Sequence, residues 1–348
     1  MKTKMRAAVF EGNGILNVKS VPTPQIRTAD EVKIKVITCS ICGSDLHVLN
    51  VPPGQDATPG IIMGHEIYGI VEEIGNDVTH VQIGDMVTVD PIIPCGHCRD
   101  CRNGFGVLCM NAVSTGQTRN GGFAEYCVFP KNQVYVVPTS IPASTASLIE
   151  PLSCVMNAIV KLNPTPLDNV IIFGAGAIGL IFIRVLKLYG VKNILVCEPL
   201  EERQAFAKHC GADWILNPIK DNLEQSILEK WDSLANIVVD AVGAGVITEQ
   251  ALPLLGSRGR YMIFGQDNNA KSTIAPSLIT RHELQVLGSY CTNHTFIKSI
   301  DLLHNPKLGL EKVISHRFDL DDIKKGIEVV RSKEASKVII YPNGMFDD

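Results

Sequence analysis

The sequence predicts a two-domain chain: one domain mostly β, the other an α/β domain built on a doubly wound parallel sheet. Three observations predict it. The chain has 348 residues, 45% of them hydrophobic, which is enough for about two buried cores. Residues 1–150 contain short β-branched runs punctuated by Gly, Pro, Asn and Asp, such as "EVKIKVIT", "YGIVEEIG", "DMVTVDPII" and "FAEYCVFP", the pattern of a largely antiparallel sheet. From about residue 155, β-branched strands alternate with apolar-periodic helices, which implies a parallel sheet covered on both faces.

The α/β half can be justified element by element. "NVIIFGAGAIGLIFIRVLKLYG" reads as a strand, a turn holding Gly174, Gly176 and Gly179, and a helix stopped by Gly190. Between strand and helix, such a turn directs the helix N-terminus, beginning at Ala177 and Ile178, toward a pyrophosphate. The next strand, "NILVC", ends at Glu198. An acidic side chain there accepts hydrogen bonds from both ribose hydroxyls and repels a 2'-phosphate, so NAD is expected rather than NADP. "EERQAFAKHCG" follows as a helix, on which Arg203 either covers the adenosine or is an exposed charge. "DWIL", "NLEQSILEKW" and "NIVVDAVG" continue as strand, helix and strand. "VITEQALPLL" is a helix interrupted by Pro253, and "GRYMIFG" and "LQVLGSY" are the last two strands. Val242 with Gly243, and Phe264 with Gly265, end two strands at the face where open sheets bind ligands, and should approach adenine and nicotinamide. The unit spans about 155–289. In the tail, "FDLDDIKKGIEVVRSK" reads as an amphipathic helix and "KVIIYP" as a strand that closes one of the two domains.

Composition excludes several classes. The longest apolar run is interrupted by three glycines and stops at Arg184, short of the roughly 20 residues of a membrane helix. The N-terminus lacks the apolar core of a secretory signal, so a cytoplasmic location is expected. A net charge of −4 offers no basic footprint for nucleic acid. Eleven cysteines in a large chain without a signal point to metal rather than to a disulfide scaffold.

Four of the cysteines, Cys95, Cys98, Cys101 and Cys109, follow C-x2-C-x2-C-x7-C. That spacing lets one loop wrap four sulfurs around zinc. The rival is an iron–sulfur cluster, but the ferredoxin run closes with C-x3-C-P, whereas here the last gap is seven and Met110 stands where proline would. Gly96, Gly104 and Gly106 suit the turns of such a loop, and His97 is a bystander to a complete shell. A four-sulfur site is closed and braces a lobe. Upstream, "TCSICGSDLHVLN" and "IIMGHEIYG" offer Cys42, His65 and Glu66, fewer donors than a closed site and so compatible with an open one.

Together, "CGSDLH", "GHE", the cysteine cluster, "GGFAEY", "IEPLSC" and the mid-chain glycine fingerprint resemble the zinc-containing medium-chain dehydrogenases, and within them the polyol branch of sorbitol, threonine and galactitol-1-phosphate dehydrogenases. The resemblance covers the whole chain in family order. It implies a GroES-like catalytic domain of residues 1–154 with 290–348, carrying both zinc sites, and a Rossmann NAD-binding domain of 155–289. It implies Cys42 and His65 as catalytic zinc ligands, with Glu66 as a carboxylate that ligates or exchanges with water. Glu150 is the remaining near-zinc carboxylate, with Cys154 as its rival. Ser44 and His47 resemble a proton relay, and Asp45 a residue that orients a histidine ligand. The implied reaction is hydride transfer between NAD(H) and a secondary alcohol of a polyol, sugar acid or sugar phosphate, with an L-threonine 3-dehydrogenase-like activity as the alternative and a catalytically inert NAD sensor as a further one. Ser289 precedes Tyr290 where mammalian-type sorbitol dehydrogenases carry arginine, which argues against sorbitol. A homodimer or homotetramer is expected, because "LQVLGSY" reads as an edge strand.

Overall fold

The computed structural model describes residues 3–345. They form two compact units, one holding the residues up to Ser153 with Thr292–His304 and those from Ile314 on, the other Cys154–Cys291 with Asn305–Val313. The sequence reading gave all of 290–348 to the first domain. The stretch 305–313 joins the second unit because Arg184 holds it: Nε donates to the Leu308 carbonyl at 2.6 Å and Nη2 to that of Lys307 at 2.8 Å.

The first unit is organised by a seven-stranded sheet. Its order is Ile314–Asp319, Lys337–Tyr341, Glu31–Ile41, Glu66–Ile74, Met86–Val89 and Val134–Val136, with Tyr126–Pro130 also pairing with Glu31–Ile41. Every pair is antiparallel except Ile314–Asp319 with Lys337–Tyr341. The helix Ile323–Arg331 bridges that parallel pair, as a parallel connection requires. Alternating apolar residues such as Val32, Ile34, Val36, Ile67, Val71, Phe129, Val338 and Ile340 fill one core, each worth about 1.5–3 kcal/mol when fully buried. The tail strand therefore closes the first unit.

The second unit is a six-stranded parallel sheet ordered Trp214–Leu216, Asn193–Cys197, Asn169–Phe173, Ala235–Asp240, Leu255–Ile263 and Gln285–Gly288. In chain order these are the third, second, first, fourth, fifth and sixth strands. The order reverses beside Asn169–Phe173, which opens a crevice at its carboxyl end. Helix Ala177–Tyr189 follows that strand and ends at Gly190, whose φ of 72° and whose amide bonds to the Leu186 and Lys187 carbonyls form a left-handed cap. At Pro253 the helix Gly245–Ala251 gives way to a 3-10 turn, Leu252–Leu254, as expected of a residue without an amide proton. No helix among the described residues is long and apolar enough to cross a membrane.

Candidate active site

Strand register assembles the first cluster. Glu31–Ile41 pairs with Glu66–Ile74 so that Ser40 faces Glu66, and with Lys337–Tyr341 so that Ile41 faces Val338. Three strand ends thus bring together Cys42, His65, Glu66 and Lys337. The approach to His65 needs a glycine at position 64. Its φ is 89°, and a Cβ there would lie 2.8 Å from Cys39 Sγ and 2.7 Å from the Phe123 ring. Metal-donor atoms of Cys42, His65 and Glu66 all lie within 4.8 Å of one another.

The surroundings of these donors are anionic and buried. Cys42 caps the helix Gly43–Val48. Its amide donates to Asp45 Oδ2 at 2.9 Å, while Asp45 Oδ1 lies 3.7 Å from His65 Nδ1. Asp45 is 3% exposed. Burial alone would lower the His65 imidazole, yet Asp45, Cys42 and Glu150 outweigh it and hold the ring well above the ordinary histidine range. A field that favours imidazolium equally favours a divalent cation, whose binding must then release that proton. Glu150, in the first turn of helix Ile149–Leu162, is buried, and its charge reaches both His65 and Lys337. It stands outside the three-residue set.

Lys337 is the partner that sequence reasoning missed. It is 3% exposed, and its Nζ lies 2.6 Å from Oε1 and 2.5 Å from Oε2 of Glu66, which is itself fully buried. Ser40 donates its hydroxyl to the same carboxylate. Burial would pull the Lys337 ammonium down, but Glu66, Cys42 and Glu150 hold it above the lysine range. The available signal was a lysine opening the otherwise apolar strand "KVIIY". Ser44 is half-buried on the helix Gly43–Val48, whereas His47 is exposed with its ring against Gly54.

The four-sulfur cluster lies wholly in the first unit. Cys98 and Cys101 sulfurs are 3.4 Å apart and those of Cys95 and Cys101 4.0 Å. Zinc–sulfur bonds of about 2.3 Å set a tetrahedral edge of about 3.8 Å, so the spacing fits zinc. Backbone amides of Cys95 and Cys101 point at the Cys109 and Cys98 sulfurs at 3.5 Å each. Amides of His97 and Cys98 pull the Cys95 thiol down to about 6, while desolvation and the neighbouring thiols push Cys101 up to about 12. Four crowded thiols that cannot all ionise without a counter-charge suit a cation with four sulfur ligands. Gly96 and Gly104 turn the loop at φ of 78° and 82°. His97 is exposed, its Nδ1 2.8 Å from the Cys95 carbonyl oxygen.

The second unit holds the glycine turn. Gly174 has φ of 94°, Gly176 caps the helix that starts at Ala177 and Ile178, and a Cβ on Gly179 would overlap the Gly174 carbonyl oxygen. Glu198, 3% exposed, accepts from the Ala175 amide at 2.9 Å through Oε2 and from the Leu200 amide at 3.1 Å through Oε1. This fixes a carboxylate beside the turn. Asp240 joins the other two strand ends. Its Oδ1 accepts from the amides of Val242 and Gly243 at 2.8 Å each, and its carbonyl from Phe264 and Gly265 at 3.0 and 2.8 Å. Arg203 is half-buried on the helix Glu201–Cys210.

Comparison with known proteins agrees with this geometry. Residues 28–139 match the alcohol dehydrogenase GroES-like domain and residues 177–305 the zinc-binding dehydrogenase domain. The L-threonine 3-dehydrogenase of Pyrococcus abyssi is 34% identical over 89% of this chain and 90% of its own length. The solved structure of RspB from Escherichia coli CFT073 with NADH superposes with a TM-score of 0.91 at 31% identity, over 98% of this chain and 100% of that one. Galactitol-1-phosphate dehydrogenase from Escherichia coli gives 0.90 at 28% identity, over 97% and 100%. The two domain matches and a relative more than 30% identical over most of both chains show that this protein belongs to the zinc-containing medium-chain alcohol and polyol dehydrogenases, and it is a zinc-dependent oxidoreductase that uses a nicotinamide dinucleotide.

Proposed function

We propose that the enzyme transfers hydride between NAD(H) and a secondary alcohol of a polyol, sugar acid or sugar phosphate. The observation that carries the reading is the unequal donor count: four sulfurs in one centre, and only Cys42, His65 and Glu66 in the other. The first is closed to substrate; the second leaves a position for one. Zinc held there supplies Lewis acidity toward an alcohol oxygen, which eases loss of the hydroxyl proton. Cys42 and His65 hold the metal, with Glu66 or Glu150 as the carboxylate. Asp45 orients the His65 ring, and Lys337 fixes where the Glu66 carboxylate sits. Ser44 and His47 take the hydroxyl proton toward solvent, a role suited to an imidazole.

On the cofactor side, the turn from Gly174 to Gly179 receives the pyrophosphate, with the first helical amides at Ala177 and Ile178 directed at it. Glu198 accepts from the adenosine ribose hydroxyls, which favours NAD. Arg203 lies over the adenosine, and Val242, Gly243, Phe264 and Gly265 line the adenine and nicotinamide ends. The likeness to galactitol-1-phosphate dehydrogenase supports a polyol-derived substrate, and that to the threonine dehydrogenase supports the amino-alcohol alternative. The same reading puts the enzyme in the cytoplasm as a homodimer or homotetramer, with the exposed edge strand Gln285–Gly288 as the pairing surface.

The test is NAD reduction with polyols, aldonates, their phosphates and L-threonine, with and without a chelator. Chelator-sensitive NADH formation with a polyol or its phosphate is the expected result. Preference for threonine by kcat/KM would replace the substrate class, and turnover indifferent to zinc removal would refute the mechanism.

A further inference from the structure

One helical turn on from Glu150, outside the three-donor set, two thiols lie about one tyrosine. Cys154 lies on the helix Ile149–Leu162, and Cys291 follows the edge strand Gln285–Gly288; both are partly exposed and neither is in a disulfide. Asn157, three residues after Cys154 and so on the same helix face, donates its side-chain amide to the carbonyls of Tyr290 at 3.2 Å and Cys291 at 3.0 Å. The helix is thereby clamped to the strand end. Side chains of consecutive residues in extended chain point apart, but Cys291, with φ of 44°, is in the left-handed region and breaks the extended geometry there. The Tyr290 hydroxyl is hydrogen-bonded to the Cys291 side chain and also feels Cys154; Cys291, then burial, then Cys154 raise the phenol above the ordinary tyrosine range. Tyr290 itself is 46% exposed, so small solutes reach the cluster.

We propose that Cys154 and Cys291 form a thiol-redox site, cross-linked into a disulfide by a peroxide, with Tyr290 and Asn157 holding the two sulfurs in reach of one another. A hydroxyl donating to sulfur stabilises the thiolate, the form that attacks. Cys291 therefore attacks the peroxide O–O bond first, which yields a sulfenic acid and releases one water from hydrogen peroxide. The Cys154 sulfur then displaces the sulfenic oxygen as a second water, so that two thiols are oxidised and one peroxide is reduced to two waters. These two cysteines are the first and last residues of the main segment of the second unit. The bond therefore closes that unit end to end, and reductants reopen it.

The zinc-loaded full-length enzyme is treated with stoichiometric hydrogen peroxide, alkylated and digested without reduction. The expected product is a peptide pair joined through Cys154 and Cys291, two hydrogens lighter than its reduced parts and separated by dithiothreitol. It should form with zinc retained, as followed by a chromogenic chelator. In C154S the expected species is a stable sulfenic acid at Cys291, trapped by dimedone. Oxidation that falls on Cys42 or the Cys95–Cys109 loop with zinc release, while Cys154 and Cys291 are both recovered alkylated, overturns the proposal. So does a cross-link that joins either thiol to any other cysteine. The wild-type digest decides this even if a variant fails to fold.

Discussion

Replacing Lys337 by methionine isolates the least expected feature of the first unit. The ammonium sits 2.5–2.6 Å from both Glu66 oxygens, and the two side chains are 3% and 0% exposed. Methionine keeps the volume of the stem and removes the charge, leaving a buried carboxylate whose only described neutral donor is Ser40. Breaking one side of a buried pair costs about 3–5 kcal/mol, or roughly a hundredfold or more in the unfolding constant. The companion variant E66Q leaves the opposite charge uncompensated and is expected to cost a similar amount. K337M/E66Q together should cost markedly less than the two summed, with a coupling of about 2 kcal/mol or more. Zinc partly replaces the lost positive charge, so the K337M penalty should be larger in apo enzyme than in zinc-loaded enzyme. The assay is denaturant unfolding at fixed zinc, read by far-ultraviolet circular dichroism. Tryptophan fluorescence is the wrong probe, because Trp214 and Trp231 both lie in the second unit. A K337M penalty below about 1 kcal/mol, or strict additivity of the two substitutions, would refute the claim that this pair organises the site.

Three further outcomes are expected. C98S should lose one zinc equivalent and lower the thermal midpoint, whereas C42S should lose the other, keep the fold and drop turnover about a thousandfold; loss of both metals in either variant would contradict two independent centres. Asp90 is pushed up to about 6 by burial, against the opposing Ile92 amide, Thr292 and His294. Because that value lies above the unfolded one of about 3.9, the folded state binds the extra proton. Stability therefore falls as pH rises from about 4 through about 6 and stays reduced above, by at most about 3 kcal/mol. D90N should melt higher than wild type at pH 8, with the gap roughly halved at pH 5 and closing toward pH 4, and a gap independent of pH would rule this out. E198S should weaken NAD by roughly tenfold and admit NADP; unchanged discrimination would remove Glu198 from the ribose site.

Much of the site was legible in the chain because its signals are local. The four cysteines fall in one loop, the glycine turn needs only a strand before it and a helix after it, and Glu198 lies one strand further on. Fold class followed from periodicity, since alternating strands and helices leave few topologies. The tail was different: "KVIIYP" closes a sheet, but nothing in its residues says which one.

Residue chemistry and spacing alone determined which residues are candidates: four cysteines in one loop, a second set of soft and hard donors, and a glycine turn between a strand and a helix. Only the folded chain decided that the tail strand pairs with Glu31–Ile41, and so that Lys337 meets Glu66, that Asp45 faces both Cys42 and His65, and that Cys154 and Cys291 share Tyr290. The physical reason is range. Turns, caps and ligand loops are written in consecutive residues, whereas the pairing of strands hundreds of positions apart is selected by burial and register, which no short window of sequence contains.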